Sequence, residues 1–230
     1  MPVQRNGYLY WVCKVVLTPL LTVAFRPSIS GVHHVPRRGP AVLASNHVSY
    51  LDWLFLPLVV RLRRIVFLAK LEYFTRPGVK GRLLLYFFTA TGQVPIDRAE
   101  ADAAAAALRT AQRLLGEGRL VGIFPEGTRS RDGRLYRGRT GVARLAAETG
   151  VPVVPCATVG VFHIAPPGAR VPRLRKVAVK FGEPMAWPAG TPATPETLRA
   201  WTDDLMHRIA ALSGQEHAGI DARAARRPSR

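Results

Sequence analysis

His47 and Asp52 form the pair of side chains in this 230-residue sequence that most clearly suggests chemistry. They lie in the segment SNHVSYLDW, residues 45–53, directly after an apolar run at 41–45 that we expect to be a buried strand. Five residues of separation would place the two side chains about 140° apart on one regular helix, so His47 must precede the helix for them to meet. With Ser49 as N-cap, Asp52 would stand at the third helical position and reach back. An aspartate bonded to one imidazole nitrogen leaves the other nitrogen to act as a general base.

Two further polar motifs follow predicted strands. The segment GQVPIDR, residues 92–98, ends with Arg98, and the segment FPEGTRS spans residues 124–130. Because ligands of parallel α/β sheets bind outside the carboxyl ends of the strands, we expect both motifs to converge with His47.

The second of these motifs is rich in groups that suit a phosphorylated ligand. Gly127 permits close approach of the backbone to a ligand, Thr128 offers a hydroxyl, and Arg129 is a planar, two-pronged donor for phosphate. Glu126 could either bond substrate hydroxyls or hold the arginines.

The elements that must position these motifs alternate between strand and helix. We predict strands at 41–45, 65–70, 93–96, 120–124, 151–159 and 176–182. We predict helices from Ser49, around 79–90, over 99–115 and 139–149, and from Thr194 to just before Gly214. This alternation predicts a single α/β domain with a mostly parallel mixed sheet covered by helices. The predicted organisation is an N-terminal membrane-associating segment at 1–30, the α/β domain at 31–214 and a disordered basic tail at 215–230.

The charge of the chain narrows its partners to polyanions. Thirty-three Lys and Arg against 15 Asp and Glu give a net charge of +18, which suits nucleic acid, an anionic membrane or a phosphorylated substrate. The excess is spread through the chain and no RNA-binding or zinc-finger pattern is present, so we expect no nucleic-acid partner. Cys13 and Cys156 are far apart and support neither a disulfide framework nor a metal site.

The N-terminal segment from Tyr8 to Phe25 is the only long apolar run. Lys14 and Pro19 interrupt it, and its 18 residues are at the short limit for a membrane span. Residues 1–40 hold five basic side chains and no acidic one, so we expect a helix or helix pair lying in the interface of an anionic membrane. The alternative is an N-terminal helix packed on the domain core.

Four segments together resemble a known family. Asn46-His47 with Asp52, residues 92–98, residues 124–130 and residues 151–155 resemble, in order and spacing, the four motifs of the glycerolipid acyltransferases. The best-known members of that family are 1-acylglycerol-3-phosphate acyltransferases, and the resemblance runs from about residue 30 to 185. It implies transfer of an acyl group from acyl-CoA, or from an acyl carrier protein thioester, to a glycerophosphate hydroxyl at a membrane, as in the synthesis of phosphatidic acid.

The resemblance also implies roles for individual residues. His47 would be the catalytic base and Asp52 would orient it. The glycerophosphate would be bound by Arg98, Glu126, Gly127, Thr128 and Arg129, with Lys80 and Arg82 as further phosphate contacts. The acyl-chain side would be lined by Val151, Pro152, Val153, Val154 and Pro155. We expect no bound cofactor or metal, and a peripheral or monotopic protein at the cytoplasmic face of the cell membrane whose acceptor is a lysophospholipid.

The residues favour direct transfer to the acceptor hydroxyl without an acyl-enzyme. No GxSxG elbow is present and neither cysteine lies in a motif, so the hydroxyl of the acceptor is the natural nucleophile. Several alternatives stay open at this stage. The acceptor could be glycerol-3-phosphate or another lysophospholipid, water could replace it in thioester hydrolysis, or the chain could be a non-catalytic protein that binds anionic lipid.

Overall fold

A seven-stranded mixed sheet forms the centre of the protein. The computed structural model describes residues 7–60, 63–96, 103–166, 172–222 and 224–226. The strands are β1 (Ser28–Ser30), β2 (Ala41–Ser45), β3 (Ile65–Lys70), β4 (Gln93–Ile96), β5 (Leu120–Ile123), β6 (Val153–Val159) and β7 (Ala178–Phe181). The helices are α1 (Gly7–Phe25), α2 (Asp52–Val59), α3 (Gly78–Ala90), α4 (Ala103–Gly116), α5 (Gly141–Thr149), α6 (Val161–Ile164) and α7 (Pro195–Ser213).

The strand order across the sheet is β1-β7-β6-β2-β5-β3-β4. All neighbours are parallel except β6 and β7, so β1 and β7 run against the other five strands. The predicted α/β class with a mostly parallel mixed sheet is therefore confirmed. Strand β1 has only three residues, all exposed, and the sequence pattern did not reveal it.

Both faces of the sheet are covered, which explains why the residues of the central strands are mostly apolar. On β2, the side chain of Leu43 packs in the layer of α1 and α2, whereas Val42 and Ala44 pack in the layer of α4, α5 and α7. Successive residues of a strand point to opposite faces, so a strand that is buried on both sides needs no polar positions. Residues 41–45 are accordingly all buried.

Local signals in the sequence account for the longest helix of the second layer. Thr194 accepts a hydrogen bond from the backbone N–H of Thr197, Pro195 occupies the first turn, and Gly214 ends α7 with a left-handed φ of 71°. Each feature favours a helix boundary at that position. The observed α7 therefore has the boundaries that these residues predict.

The segment after α7 differs from the expected disordered tail over part of its length. The backbone N–H of Leu135 donates to Glu216, Ala218 donates to Leu135, and Arg137 donates to Ile220. A parallel bridge joins Leu135 to His217. Residues 215–220 are thus held against the loop that follows β5, because that loop offers backbone partners that sequence periodicity does not indicate.

Candidate active site

The first and third motifs meet at the carboxyl edge of the sheet. Strands β2 and β5 are parallel neighbours, and the chain leaves both at the same edge. The backbone N–H of His47 donates to Glu126 Oε1 at 2.8 Å, and the carbonyl of His47 accepts from the N–H of Ser130 at 2.8 Å. The loop after β5 therefore holds the histidine by its backbone on both sides.

His47 and Asp52 form the hydrogen-bonded pair that their spacing suggests. His47 Nδ1 lies 2.9 Å from Asp52 Oδ2, and that oxygen also accepts the backbone N–H groups of Val48 at 2.7 Å and Ser49 at 2.8 Å. The hydroxyl of Thr158 lies 3.1 Å from Asp52 Oδ1. Four donors thus surround a carboxyl group that is fully buried.

These contacts define the tautomer of the histidine. An oxygen that accepts two backbone N–H groups belongs to a carboxylate, so the proton of the third contact sits on His47 Nδ1. Nε2 then carries the lone pair, and the His47 side chain is 18% exposed, which leaves it accessible to a ligand. This is the geometry of a general base oriented by a carboxylate.

The local helix begins later than the sequence suggests. Asp52 is the first residue of α2 and Leu51 occupies the N-cap position without a side-chain cap bond, so Ser49 is not the N-cap. The hydroxyl of Ser49 instead donates to the carbonyl of Ala165 and accepts the N–H of Leu51. The chain stays non-helical through this turn because the Asp52 carboxylate takes the N–H groups of Val48 and Ser49.

Two aromatic rings support the imidazole. The ring of His47 stacks on Phe124 with centroids 4.0 Å apart and planes 14° apart, and Phe124 stacks on Phe67 at 5.6 Å. Stacking restricts rotation of the imidazole about its own bond and backs it with an apolar surface. Phe124 was part of the third motif, but its contact with His47 depends on the pairing of β2 with β5.

The carboxyl group of Glu126 is hydrogen-bonded to the backbone of His47. Its side chain is 2% exposed, and its two oxygens accept the backbone N–H groups of His47 and Tyr136. Burial raises the pKa of Glu126 to about 8, against the lowering effect of those two donors. The sequence suggested that Glu126 bonds substrate hydroxyls or holds the arginines, whereas its oxygens in the structure accept the backbone N–H groups of His47 and Tyr136.

The other residues of the third motif lie further out. Gly127 and Arg129 are exposed and Thr128 is partly exposed. Gly127 adopts a left-handed φ of 70°, and a side-chain carbon there would meet Arg139 Nε at 2.9 Å. Glycine is thus required for this turn.

The other predicted phosphate contacts, Lys80, Arg82 and Arg98, belong to other segments of the chain. Lys80 and Arg82 are exposed in the first turns of α3. Gly81, between them, is buried, and a side-chain carbon there would overlap the carbonyl of Arg76. Arg98 lies outside the described residues.

The fourth motif enters the central strand β6. Val151 and Val153 are buried in the layer of α4, α5 and α7, whereas Val154 packs in the layer of α1 and α2. Pro155 is also buried, and Pro152 is partly buried. Of these residues, the structure shows Val154 in the same layer as α2.

Two residues near the pair were missed by sequence reasoning. Thr158 is a polar residue in a buried strand, and because such residues need a buried partner, this was a usable signal. Gln215 follows α7 and its side chain reaches Asn46, 169 residues earlier. No sequence pattern connects those two positions.

An apolar surface lies beside the site. Helix α1 packs against α2 and α3, and Trp53, next to Asp52, contacts Phe87 of α3 with ring centroids 5.7 Å apart. The large apolar side chains that are more than half exposed on α1 and α3, which we call the α1/α3 surface, are Tyr8, Val15, Val16, Leu20, Val23, Val79, Leu83 and Tyr86. Large apolar side chains exposed together on neighbouring helices indicate an interaction surface.

Lys14 differs from the rest of α1. Its ammonium group points inward and donates to the carbonyl of Val60, which follows the last residue of α2. Burial lowers the pKa of Lys14 to about 8. Lys14 therefore connects α1 to the end of α2, whereas the sequence had suggested a contact with the membrane interface.

The described part of the chain contains neither a candidate membrane-spanning helix nor a candidate metal site. Over residues 7–60, 63–96, 103–166, 172–222 and 224–226, no helix is both long and apolar enough to cross a membrane. Over the same ranges, no three His, Cys, Asp or Glu side chains are arranged to hold a metal ion.

The chain is therefore an α/β protein with a histidine–aspartate pair at the carboxyl edge of a mixed sheet. Residues 126–129, with the sequence EGTR, follow the neighbouring strand β5. The family model named Acyltransferase matches residues 26–159, and the chain belongs to that family.

Relatives with curated names have related descriptions. The chain is 31% identical over 166 residues to a chloroplastic 1-acyl-sn-glycerol-3-phosphate acyltransferase of Arabidopsis thaliana, a match that covers 72% of this chain and 45% of the relative. It is 28% identical over 210 residues to the 1-acyl-sn-glycerol-3-phosphate acyltransferase of Bacillus subtilis, covering 90% of this chain and 98% of that protein. The chain thus spans about half the length of the plant relative and nearly all of the bacterial one.

A solved structure has the same fold. The 1-acyl-sn-glycerophosphate acyltransferase PlsC of Thermotoga maritima superimposes with a TM-score of 0.67 at 26% sequence identity, covering 98% of this chain and 83% of that chain.

Proposed function

We propose that this chain transfers an acyl group from a thioester donor, acyl-CoA or acyl carrier protein, to the free hydroxyl of 1-acylglycerol-3-phosphate. The observation that carries the proposal is the 2.9 Å contact between His47 Nδ1 and a buried Asp52 carboxylate, which leaves His47 Nε2 as a base at the carboxyl edge of the sheet. The names of the Arabidopsis and Bacillus relatives support the choice of acceptor.

The chemistry follows from that geometry. His47 Nε2 removes the proton of the acceptor hydroxyl as its oxygen attacks the thioester carbonyl. The C–S bond then breaks, the new ester forms, and the departing thiolate takes the proton from the imidazolium. Asp52 stabilises the imidazolium through its bond to Nδ1 and keeps the ring oriented.

The surroundings of His47 support direct transfer without an acyl-enzyme. Cys156 is fully buried and its thiol pKa is raised by burial, so it is a poor nucleophile. The hydroxyls of Ser45, Ser49 and Ser130 are also buried and hydrogen-bonded within the protein. These buried groups are therefore poor candidates for a nucleophile, which favours the hydroxyl of the acceptor.

The phosphate of the acceptor would be bound by basic side chains. Arg129 follows Gly127 and Thr128 directly, and its guanidinium can form paired bonds to phosphate. Lys80 and Arg82 are exposed on α3, and we assign them, with Arg98, to the same anion. Glu126 would act by holding the His47 backbone, because both of its oxygens already accept backbone N–H groups.

The acyl chains and the membrane would meet the α1/α3 surface. Its apolar side chains are exposed, and Lys80 and Arg82 stand beside Val79 and Leu83, a combination that suits the interface of an anionic bilayer. Trp53 and Phe87 connect this surface to Asp52, so a lipid held there would present its headgroup to His47. We therefore place the protein at the membrane surface, on its cytoplasmic face.

One assay separates the candidate functions. Lysophosphatidic acid and long-chain acyl-CoA are supplied, and thiol release is followed with and without the acceptor. Release that depends on the acceptor supports transfer, and release without it indicates hydrolysis. No release, together with vesicle binding, would indicate a lipid-binding protein. Glycerol-3-phosphate and other lysophospholipids, tested in parallel at equal concentration, identify the preferred acceptor.

A further inference from the structure

Gln215 lies where a C-terminal segment meets the catalytic turn, which we define as residues 46–52. Gln215 Oε1 accepts a hydrogen bond from Asn46 Nδ2 at 2.7 Å, and Gln215 Nε2 donates to the carbonyl of Gly133 at 2.6 Å. One side chain thus joins the residue before His47 to the loop that follows β5. Gln215 lies outside residues 26–159, the range that the family model matches.

Asn46 connects Gln215, through Thr158, to the His47–Asp52 pair. Its Nδ2 also donates to the carbonyl of Thr158, and its Oδ1 accepts the backbone N–H of Thr158 at 2.8 Å. The Thr158 hydroxyl in turn lies 3.1 Å from Asp52 Oδ1. Asn46 is 1% exposed, so loss of the Gln215 contact leaves a buried amide hydrogen without its partner.

A second route from the same segment reaches His47 through its backbone. Residues 216–220 exchange hydrogen bonds with Leu135 and Arg137, which stand on either side of Tyr136. The N–H of Tyr136 donates to Glu126 Oε2 at 2.9 Å, and Glu126 Oε1 accepts the N–H of His47. Both sets of contacts therefore reach His47, the first through Asp52 at its ring and the second through Glu126 at its backbone N–H.

We propose that residues 215–220 act as a strap that positions the catalytic turn, with Gln215 as its positioning residue. Gln215 touches no reacting atom in this scheme. It holds Asn46, and through Asn46 and Thr158 it holds the Asp52 carboxylate that orients His47. The effect on turnover rests on the proposed acyl transfer, whereas the effect on the His47 ring does not.

The test uses Gln215→Met, which keeps the length of the side chain and removes both hydrogen bonds. We expect kcat to fall about 10- to 100-fold, as small misplacements of catalytic groups do, while KM for the acceptor and the acyl-CoA stay within about twofold. A variant that had only lost stability would show a lower melting temperature with unchanged kcat in the folded fraction. That result, or wild-type kcat, would overturn the proposal.

Two further variants sharpen the test. Gln112→Met makes the same change on α4, where Gln112 contacts Glu148, and should leave kcat and KM unchanged. Gln215→Glu keeps an oxygen for Asn46 but sets a second oxygen against the Gly133 carbonyl, so we expect its kcat to lie between wild type and Gln215→Met. A kcat for Gln215→Glu below that of Gln215→Met contradicts the role of the Asn46 contact.

An activity-independent measurement separates this inference from the proposed function. The ring signals of His47 in NMR spectra should shift in Gln215→Met but not in Gln112→Met. If wild type transfers no acyl group and the His47 signals still shift, the proposed function fails and the strap stands. If wild type is active and Gln215→Met leaves both the signals and kcat unchanged, the strap fails alone.

Discussion

The catalytic turn and the α1/α3 surface are neighbours through Trp53, and they differ in how far their side chains are buried and hydrogen-bonded within the protein. In the turn, the backbone of His47 and all four donors around Asp52 are paired inside the protein. On the α1/α3 surface, large apolar side chains are exposed. The chemistry is thus preorganised in the folded chain, whereas the substrate side is built to contact something apolar.

The largest effect should come from removing the base. We expect His47→Ala to lower acceptor-dependent thiol release at least about 10²- to 10⁴-fold, because it removes general-base assistance. His163→Ala changes an exposed histidine on α6 and should leave the rate unchanged. Normal turnover in His47→Ala would end the proposed mechanism.

Asp52→Asn tests whether the carboxylate orients the ring. We expect kcat to fall about 10²-fold or more, since an amide can donate to Nδ1 and so favour the wrong tautomer. Steady-state kinetics and the His47 ring signals should change together. A variant with altered ring signals and full activity would separate the tautomer from catalysis and contradict the assigned role.

Arg129→Ala tests the proposed phosphate site. Truncating a charge-assisted bond costs about 1.5 to 3 kcal/mol, which corresponds to a roughly 10- to 150-fold rise in the acceptor KM. The KM for acyl-CoA should stay unchanged. Arg144→Ala, an exposed arginine on α5, is the matched control. An unchanged acceptor KM in Arg129→Ala removes this residue from the phosphate site.

The α1/α3 surface is tested by introducing charge. Leu83→Glu and Val15→Glu should each weaken sedimentation with anionic vesicles about tenfold, because an exposed apolar contact is replaced by a charge of the same sign as the lipid. Leu174→Glu alters an equally exposed leucine elsewhere and should not change binding. Equal loss in all three variants would show a general charge effect and no specific surface.

The smallest effect concerns pH and the buried Glu126. Its pKa is raised to about 8 by burial, so the folded protein binds more protons than the unfolded chain between about pH 4.5 and 8. Wild type should therefore lose stability as the pH rises through this range. Glu126→Gln replaces the carboxyl with a neutral group that does not titrate, so the free energy of unfolding of wild type, from denaturant titrations, should fall relative to that of the variant as the pH rises from 5 to 8. A constant difference contradicts the raised pKa.

Much of the fold could be predicted because the signals are local. Strand β2 has the predicted bounds since a short, continuous apolar run suits a strand buried on both faces. Thr194, Pro195 and Gly214 likewise mark the ends of α7 through their own backbone preferences. The start of α2 was misjudged because the Asp52 carboxylate accepts the backbone N–H groups of Val48 and Ser49, which keeps that part of the turn out of the helix.

The sequence by itself determined the family to which the chain belongs and the candidate residues of its site. His47, Asp52 and Glu126 could be named because side-chain type and short spacing carry that information. Tertiary structure alone decided which groups support them. The ring of Phe124 lies under His47 only because β2 pairs with β5, and Gln215 reaches Asn46 only because the chain after α7 returns to the loop at 133–137. Such contacts join residues far apart in the chain, where neither periodicity nor spacing relates one position to the other.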